Sequence, residues 1–229
     1  MNWVVRTRRI HAWDLTVADA ARLQSELAAK VIRRTTFPLR SLRRVAGVDV
    51  HYTADRAVAG VVVLGFPGLE PQEEVTAGVP LSYPYVPSLL SFREGPAALA
   101  AMSRLAVRPD VLVFDGQGIA HPRRFGIASH IGVLLDLPTI GCAKTPLIGT
   151  YCEPGSQRGS FSIMRDRGRI VGAALRTRDG VAPVFVSVGH RVSLKDSLHI
   201  VLGCCAGFRL PETNRRADRL ARAAAKGKW

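Results

Sequence analysis

A chain of 229 residues, 47% of them hydrophobic, can bury a sizeable core, which excludes an intrinsically disordered chain and makes a single domain the simplest expectation. The four cysteines, Cys142, Cys152, Cys204 and Cys205, show no Cys-x-x-Cys spacing, so unpaired thiols in a reducing compartment are expected and a zinc site is not. A formal charge of +14 is unevenly placed: ten Lys/Arg face three acids in residues 1–44, seven face two in 205–229, and fifteen face thirteen between them. Basic flanks around a near-neutral middle suit a protein that grips a polyanion, although 27 of the 32 cations are Arg and a compositional bias fits that equally well.

Residues 1–9, M-N-W-V-V-R-T-R-R, lack the apolar core of a signal peptide, and no apolar run reaches bilayer length, so a cytoplasmic protein with no membrane partner is expected. Thr16-Val17-Ala18-Asp19 has the chemistry of a helix start, with Thr16 as cap. Val17, Ala20, Ala21, Leu27, Ala28 and Val31 give that helix one apolar face, and it should stop before Phe37-Pro38, because a residue preceding proline is pushed out of helical geometry. Val45 to Val50 reads as a doubly covered strand, followed by strands over Ala57 to Phe66 and Glu73 to Leu81; their short connections imply an antiparallel meander. Tyr83-Pro84-Tyr85-Val86-Pro87 is a loop whose prolines stiffen the chain around Tyr85, which then either presents an aromatic ring to a base or is pinned into the core.

The stretch from Val111 to Lys144 organises the remainder. A short strand, Val111 to Phe114, stops at Asp115 and turns through Gly116-Gln117-Gly118. A helix follows, with Phe125, Ala128, Ile131 and Leu135 at three- and four-residue spacing, and Pro138 closes it before a second strand, Thr139 to Ala143, ends on Lys144. In an open sheet ligands gather outside the carboxyl ends of parallel strands, so Asp115 and Lys144 are expected to face one cleft. Further strands are expected at Arg169 to Thr177 and Val184 to Val188, a helix from Ser193 with Leu194, Leu198, Val201 and Cys205 buried, and a surface helix fraying to a basic tail over Asn214 to Lys226.

Three acids carry the chemical argument. Asp49 interrupts an apolar strand, and an unpaired buried carboxylate costs several kcal/mol or more, so either an Arg or a cation must compensate it. If its strand lies beside the one ending at Asp115, two hard oxygen ligands converge, as Mg²⁺ requires. Glu94 either closes a capping box with Ser91 or, if the helix starts near Pro96, stands free just ahead of it. His121, Lys144 and His190 follow turns or end apolar runs and so could reach the same cleft, whereas His11, His51, His130 and His199 carry no assigned role. No Ser-His-Asp spacing, nucleophile elbow or Walker loop is present.

Gly47-Val48-Asp49-Val50, Pro84-Tyr85-Val86-Pro87, Ser91-Phe92-Arg93-Glu94-Gly95-Pro96, Asp115-Gly116-Gln117-Gly118 with His121-Pro122-Arg123, Gly141-Cys142-Ala143-Lys144 and Gly189-His190-Arg191 occur in the order seen in endonuclease V, the deoxyinosine-specific DNA repair nuclease family that this chain resembles from about Leu15 to Asp218. The resemblance implies an α/β, ribonuclease H-like fold with a central mixed five-stranded sheet flanked by helices. It also implies Mg²⁺-dependent hydrolysis, with Mn²⁺ as a substitute, of the second phosphodiester bond 3′ to a deaminated base, leaving 3′-hydroxyl and 5′-phosphate ends. Carried over by motif, Asp49, Asp115 and Glu94 resemble the metal-binding acids and Tyr85 the wedge that fills the gap left by a flipped nucleotide. Lys144, His121 and His190 resemble the groups around the scissile phosphate, and Arg93 the support of the acidic site, while Leu90, Gly116, Ile127 and Leu147 resemble the lining of the base pocket. The turn departs from many relatives in having Gln117 between its glycines, Thr145-Pro146 follows Lys144, and Val188 precedes Gly189. A monomer acting on inosine-containing DNA is expected, with inosine-containing single-stranded RNA, a junction or RNA–DNA hybrid, and non-cleaving lesion binding as the alternatives.

Overall fold

The computed structural model describes residues 11–227; residues 1–9, which lack a signal peptide's apolar core, lie outside them. Helix α1 (Val17–Ala28) starts as its sequence dictates, with the Asp19 backbone N–H donating to Thr16 Oγ1 at 3.1 Å. It ends earlier than expected. Beyond Ala28 the backbone N–H groups leave the helical ladder: Ile32 donates to His190 Nδ1 at 3.2 Å and Thr36 to the Arg191 carbonyl at 3.3 Å. Tertiary partners thus end the helix before proline can.

Strands β1 (Arg44–Tyr52), β2 (Arg56–Gly65) and β3 (Pro71–Pro80) form the expected meander, β1 antiparallel to β2 and β2 to β3. Helix α2 (Leu90–Met102) crosses back, and β4 (Val111–Phe114) pairs parallel with β1. After α3 (Ile127–Leu135), β5 (Thr139–Ala143) pairs parallel with β4. These five strands make up the expected mixed sheet, in the order β3-β2-β1-β4-β5. Three more extend it. Strand β6 (Phe161–Asp166), missing from the sequence reading, pairs with β7 (Arg169–Leu175), and β8 (Val184–His190) joins β7 to the free edge of β5, giving eight strands among the described residues.

Alternation along the strands separates two cores. Ala46, Val48, Leu112 and Phe114 face α2 and α3 with Ala97, Ala101 and Ile131. Val45, Val111, Val113 and Ile140 face the other way, onto Leu198, Ile200 and Val201 of α4 (Leu194–Gly203), which Ser193 caps as expected. Helix α5 (Glu212–Ala225) covers the rest of this second face. It is not a fraying surface helix: Ala217 and Ala221 are fully buried. The cause is a close approach made possible by glycine, since a Cβ on Gly47 would lie 2.0 Å from the Thr213 carbonyl oxygen and one on Gly60 2.7 Å from the Ala221 nitrogen. No helix among the described residues is long and apolar enough to cross a membrane.

Candidate active site

The carboxyl ends of β1, β4 and β5 share one end of the sheet because the three run parallel. Val48 pairs with Phe114, so the next residues, Asp49 and Asp115, stand side by side, and the Asp115 N–H donates to the Val48 carbonyl at 3.1 Å. Lys144, just past β5, donates from Nζ to Asp115 Oδ2 at 2.5 Å. Among the described residues no Arg pairs with Asp49. Burial first, and then the neighbouring Asp115 charge, push its pKa up to about 7. Burial alone works to lower the pKa of Lys144, but contact with Asp115 and the fields of Asp49 and Asp218 outweigh it, and the ammonium is held in its charged form.

Glu94 reaches the same place from the opposite face of the sheet. Its helix begins at Leu90, with neither the Ser91 capping box nor a start near Pro96; Ser91 instead lies against His130 Nδ1 at 2.9 Å, and Pro96 is inside the helix. Glu94 therefore occupies the second turn, 8% exposed, and accepts a 2.6 Å hydrogen bond from the Tyr52 hydroxyl. Burial, reinforced by Asp49 and Asp115 and opposed by the Tyr52 hydrogen bond, raises its pKa to about 8. Arg93 stacks its guanidinium over the Tyr52 ring at 4.7 Å and donates to the Tyr83 carbonyl at 2.8 Å, bracing this corner of the site.

Two further groups belong here. His51 lies two residues past Asp49, hence on the same side of β1, and its Nε2 is 3.1 Å from Asp218 Oδ1 and 3.9 Å from Asp49 Oδ2. Ligand atoms of Asp49, His51 and Asp218 lie within 4.8 Å of one another. The alternation of β1 was a legible signal for His51. Asp218 offered none, because it sits in the Arg-rich run of α5 and reaches the strand only by the packing over Gly47 and Gly60. A set of hard carboxylate oxygens with one imidazole fits a divalent cation in its chemistry, since such an ion would offset both the burial and the mutual repulsion that raise Asp49 and Glu94.

Beside the acids opens a cleft of about 350 Å³ whose walls include Tyr85, Leu90, Gly116, Gln117, Ile127, Lys144 and Leu147. All four residues expected to form a base pocket are there. Tyr85, 72% exposed, stands at the lip and is not a core residue. Gln117 ties the turn to the neighbouring loop by donating from Nε2 to the Thr145 carbonyl at 3.0 Å. His121 also lines the cleft, but both ring nitrogens are engaged: Nε2 lies 2.8 Å from the Ser88 carbonyl, and Nδ1 accepts from the Arg123 N–H at 3.2 Å. Burial pushes its pKa down to about 4, so the ring is a neutral clamp joining the turn to the Tyr85 loop.

His190 is the exception. It ends β8, which runs antiparallel to β5, so it pairs with Thr139 at the start of β5, whereas Phe185 pairs with Ala143 beside Lys144. It is thus at the opposite end of the sheet, near Asp136 (Nε2 to Oδ1, 3.4 Å) and holding the chain after α1, and it does not share the cleft.

A mixed sheet with carboxylates gathered at the tips of adjacent parallel strands, and a further acid brought in by a helix, defines a ribonuclease H-like nuclease. Comparison with known proteins narrows that class. The Endonuclease V family model matches residues 25–219. Endonuclease V of Roseiflexus sp. (strain RS-1) is 50% identical over 209 residues, 91% of this chain and 93% of the relative. The crystal structure of endonuclease V from Streptomyces avermitilis is 47% identical with a TM-score of 0.90, covering 98% of this chain and 99% of that one. Ciona intestinalis endonuclease V, solved in complex with a 24mer DNA containing an inosine followed by a ribo-adenosine, is 32% identical with a TM-score of 0.79 over 92% of this chain and 98% of that one. The chain belongs to the endonuclease V family.

Proposed function

We propose that this endonuclease recognises deoxyinosine in DNA and hydrolyses the second phosphodiester bond on its 3′ side with the help of Mg²⁺. The observation that carries the reading is the juxtaposition of partly buried, mutually repelling acids with a cleft of about 350 Å³ that has an exposed tyrosine at its lip. A deaminated base mispairs and is therefore less costly to unstack than a paired one, so extrusion, normally about a few kcal/mol, already favours the lesion. Leu90, Gly116, Ile127 and Leu147 offer an apolar seat for the extruded purine, and Tyr85 fills the vacated space in the stack.

Asp49, Asp115 and Glu94 would hold the cation, with Asp218 and His51 beside them. When bound, Mg²⁺ neutralises charge on the phosphate oxygens and makes water a better nucleophile. Lys144, anchored on Asp115, keeps a positive donor where negative charge grows on the phosphorane oxygens. Water adds its oxygen to phosphorus while the bond from phosphorus to the 3′ oxygen breaks. The attacking water gives up a proton and the departing oxygen takes one to become the 3′-hydroxyl, and the phosphate stays on the 5′ end of the downstream piece. Arg93 and Tyr52 fix Glu94; His121 shapes the cleft and takes no proton at neutral pH.

The test is a duplex with one labelled deoxyinosine, with and without Mg²⁺, run beside the unmodified duplex, inosine-containing single-stranded RNA, a junction and an RNA–DNA hybrid. A single Mg²⁺-dependent nick at the stated bond supports the reading. Preference for the RNA, the junction or the hybrid would reassign the substrate, and tight binding without strand breaks would make the protein a lesion binder.

A further inference from the structure

The deoxyinosine cleft lies on the α2–α3 side of the sheet, and the acids lie along its edge. On the other side, at the same end, stands an exposed aromatic that the reaction described above does not use. Phe208 is 49% exposed, and the guanidinium carbon of Arg215 sits 3.5 Å from its ring centroid. Both partners are held in place. Glu212 in the first turn of α5 pairs with Arg215, and the neighbouring Arg209 donates to the carbonyls of Ala182 at 3.0 Å, Lys144 at 2.7 Å and Pro183 at 2.9 Å. Arg209 therefore fastens the Phe208 loop to the backbone of the lysine that meets Asp115. On α5, Arg215 lies three residues before Asp218, on the same helix face and roughly 5 Å lower along the axis.

We propose that Phe208 and Arg215 form a stacking seat for a nucleobase of the cut strand, on the far side of the scissile phosphate from the deoxyinosine cleft. The proposal rests on the reading of the protein as a deoxyinosine nuclease and extends it to the strand's exit path. A ring with a cation fixed over one face, solvent-exposed beside a phosphate-handling site, has the composition of single-strand binding grooves: the ring stacks on any base and the guanidinium holds the adjoining phosphate. A solvated α5 would explain the arginines but not a half-exposed phenylalanine whose neighbour, Arg209, is fastened to the Lys144 carbonyl. With Tyr85 at the other lip, the strand is gripped by an aromatic on each side of the sheet edge, so the phosphate between them is drawn across the acids. Because stacking is indifferent to base identity, this seat adds affinity without sequence preference, and lesion selectivity stays with the cleft.

The experiment uses the full chain and fluorescent deoxyinosine strands whose 3′ arms end either just past the expected cut or several nucleotides beyond it. Affinity is measured by anisotropy in EDTA, where cleavage is absent. Wild-type protein should bind the long arm more tightly than the short one. Phe208→Ala should lose that gain, weakening long-arm binding on the order of tenfold while short-arm binding matches wild type, and Phe208→Trp should restore it. Equal long-arm affinity for Phe208→Ala and wild type would overturn the proposal, as would a loss of the same size on both arms. Failure of the wild-type protein to prefer deoxyinosine strands over unmodified ones would instead count against the underlying functional reading.

Discussion

Glu94→Gln separates what the acid site costs the fold from what it gives the reaction. The glutamine amide oxygen can still accept from Tyr52 OH, so the 2.6 Å hydrogen bond survives and only the charge is removed. In the wild-type protein the carboxyl titrates near 8, above the 4.5 of an exposed glutamate. Between those values the folded state keeps a proton that the unfolded chain has released, so metal-free stability falls as pH rises from about 4.5 to about 8. At pH 7 that is about two and a half pKa units of differential protonation, or about 3 kcal/mol, undiminished by solvent because the group is buried. Glu94→Gln removes the fall. In EDTA its midpoint should exceed wild type by on the order of 5–10 °C at neutral pH and match it near pH 4.5. The same variant should lose Mg²⁺-dependent nicking. Calorimetry across pH 4.5–8 in EDTA checks this, and a variant no more stable than wild type at neutral pH would refute the placement of a strained carboxyl in this site.

Asp115→Ala is expected to abolish nicking while leaving deoxyinosine-strand affinity within about threefold, read by gel and anisotropy, because the acid, although it borders the cleft, serves the reaction, and the apolar seat of Leu90, Ile127 and Leu147 stays in place. Full Mg²⁺-dependent activity in that variant would remove the acids from the mechanism. Tyr85→Ala should leave the melting temperature unchanged, since the ring is exposed, but weaken discrimination of deoxyinosine from unmodified DNA in competition binding. His121 has the opposite linkage to Glu94. Its folded pKa lies below its unfolded one, so its contribution is complete above pH 6.5 and is lost toward pH 4, by about 3 kcal/mol; His121→Ala should flatten the acid limb of the stability profile. Gly47→Ala pushes a methyl onto the Thr213 carbonyl, so α5 must shift, with a loss of about 1–3 kcal/mol by thermal melting and reduced nicking as Asp218 moves away.

The local order of residues already determined most of the frame. The apolar run ending at Asp115, the helix to Leu135 and the second run ending at Lys144 could hardly pack except as a parallel pair, so an acid and a lysine had to meet at one end. The resemblance carried by the ordered motifs then pointed to Asp49, Glu94, Tyr85 and the residues that the structure places around the cleft. Where local signals compete, the tertiary structure decides. Pro96 argued for a later helix start, yet packing carries α2 through it and leaves Glu94 in the second turn. His190 ends an apolar run as Lys144 does, but strand direction is not written in an apolar run. Because β8 runs antiparallel, the same feature lands at the opposite end of the sheet. Asp218 and the Phe208–Arg215 seat were equally hidden, since an Arg/Ala-rich stretch reads as solvated until a helix is laid over Gly47 and Gly60. Periodicity reports which face of an element is buried and which residues stand at its ends. Only chain direction and close approach, which act between elements distant in sequence, determine which of those ends come together.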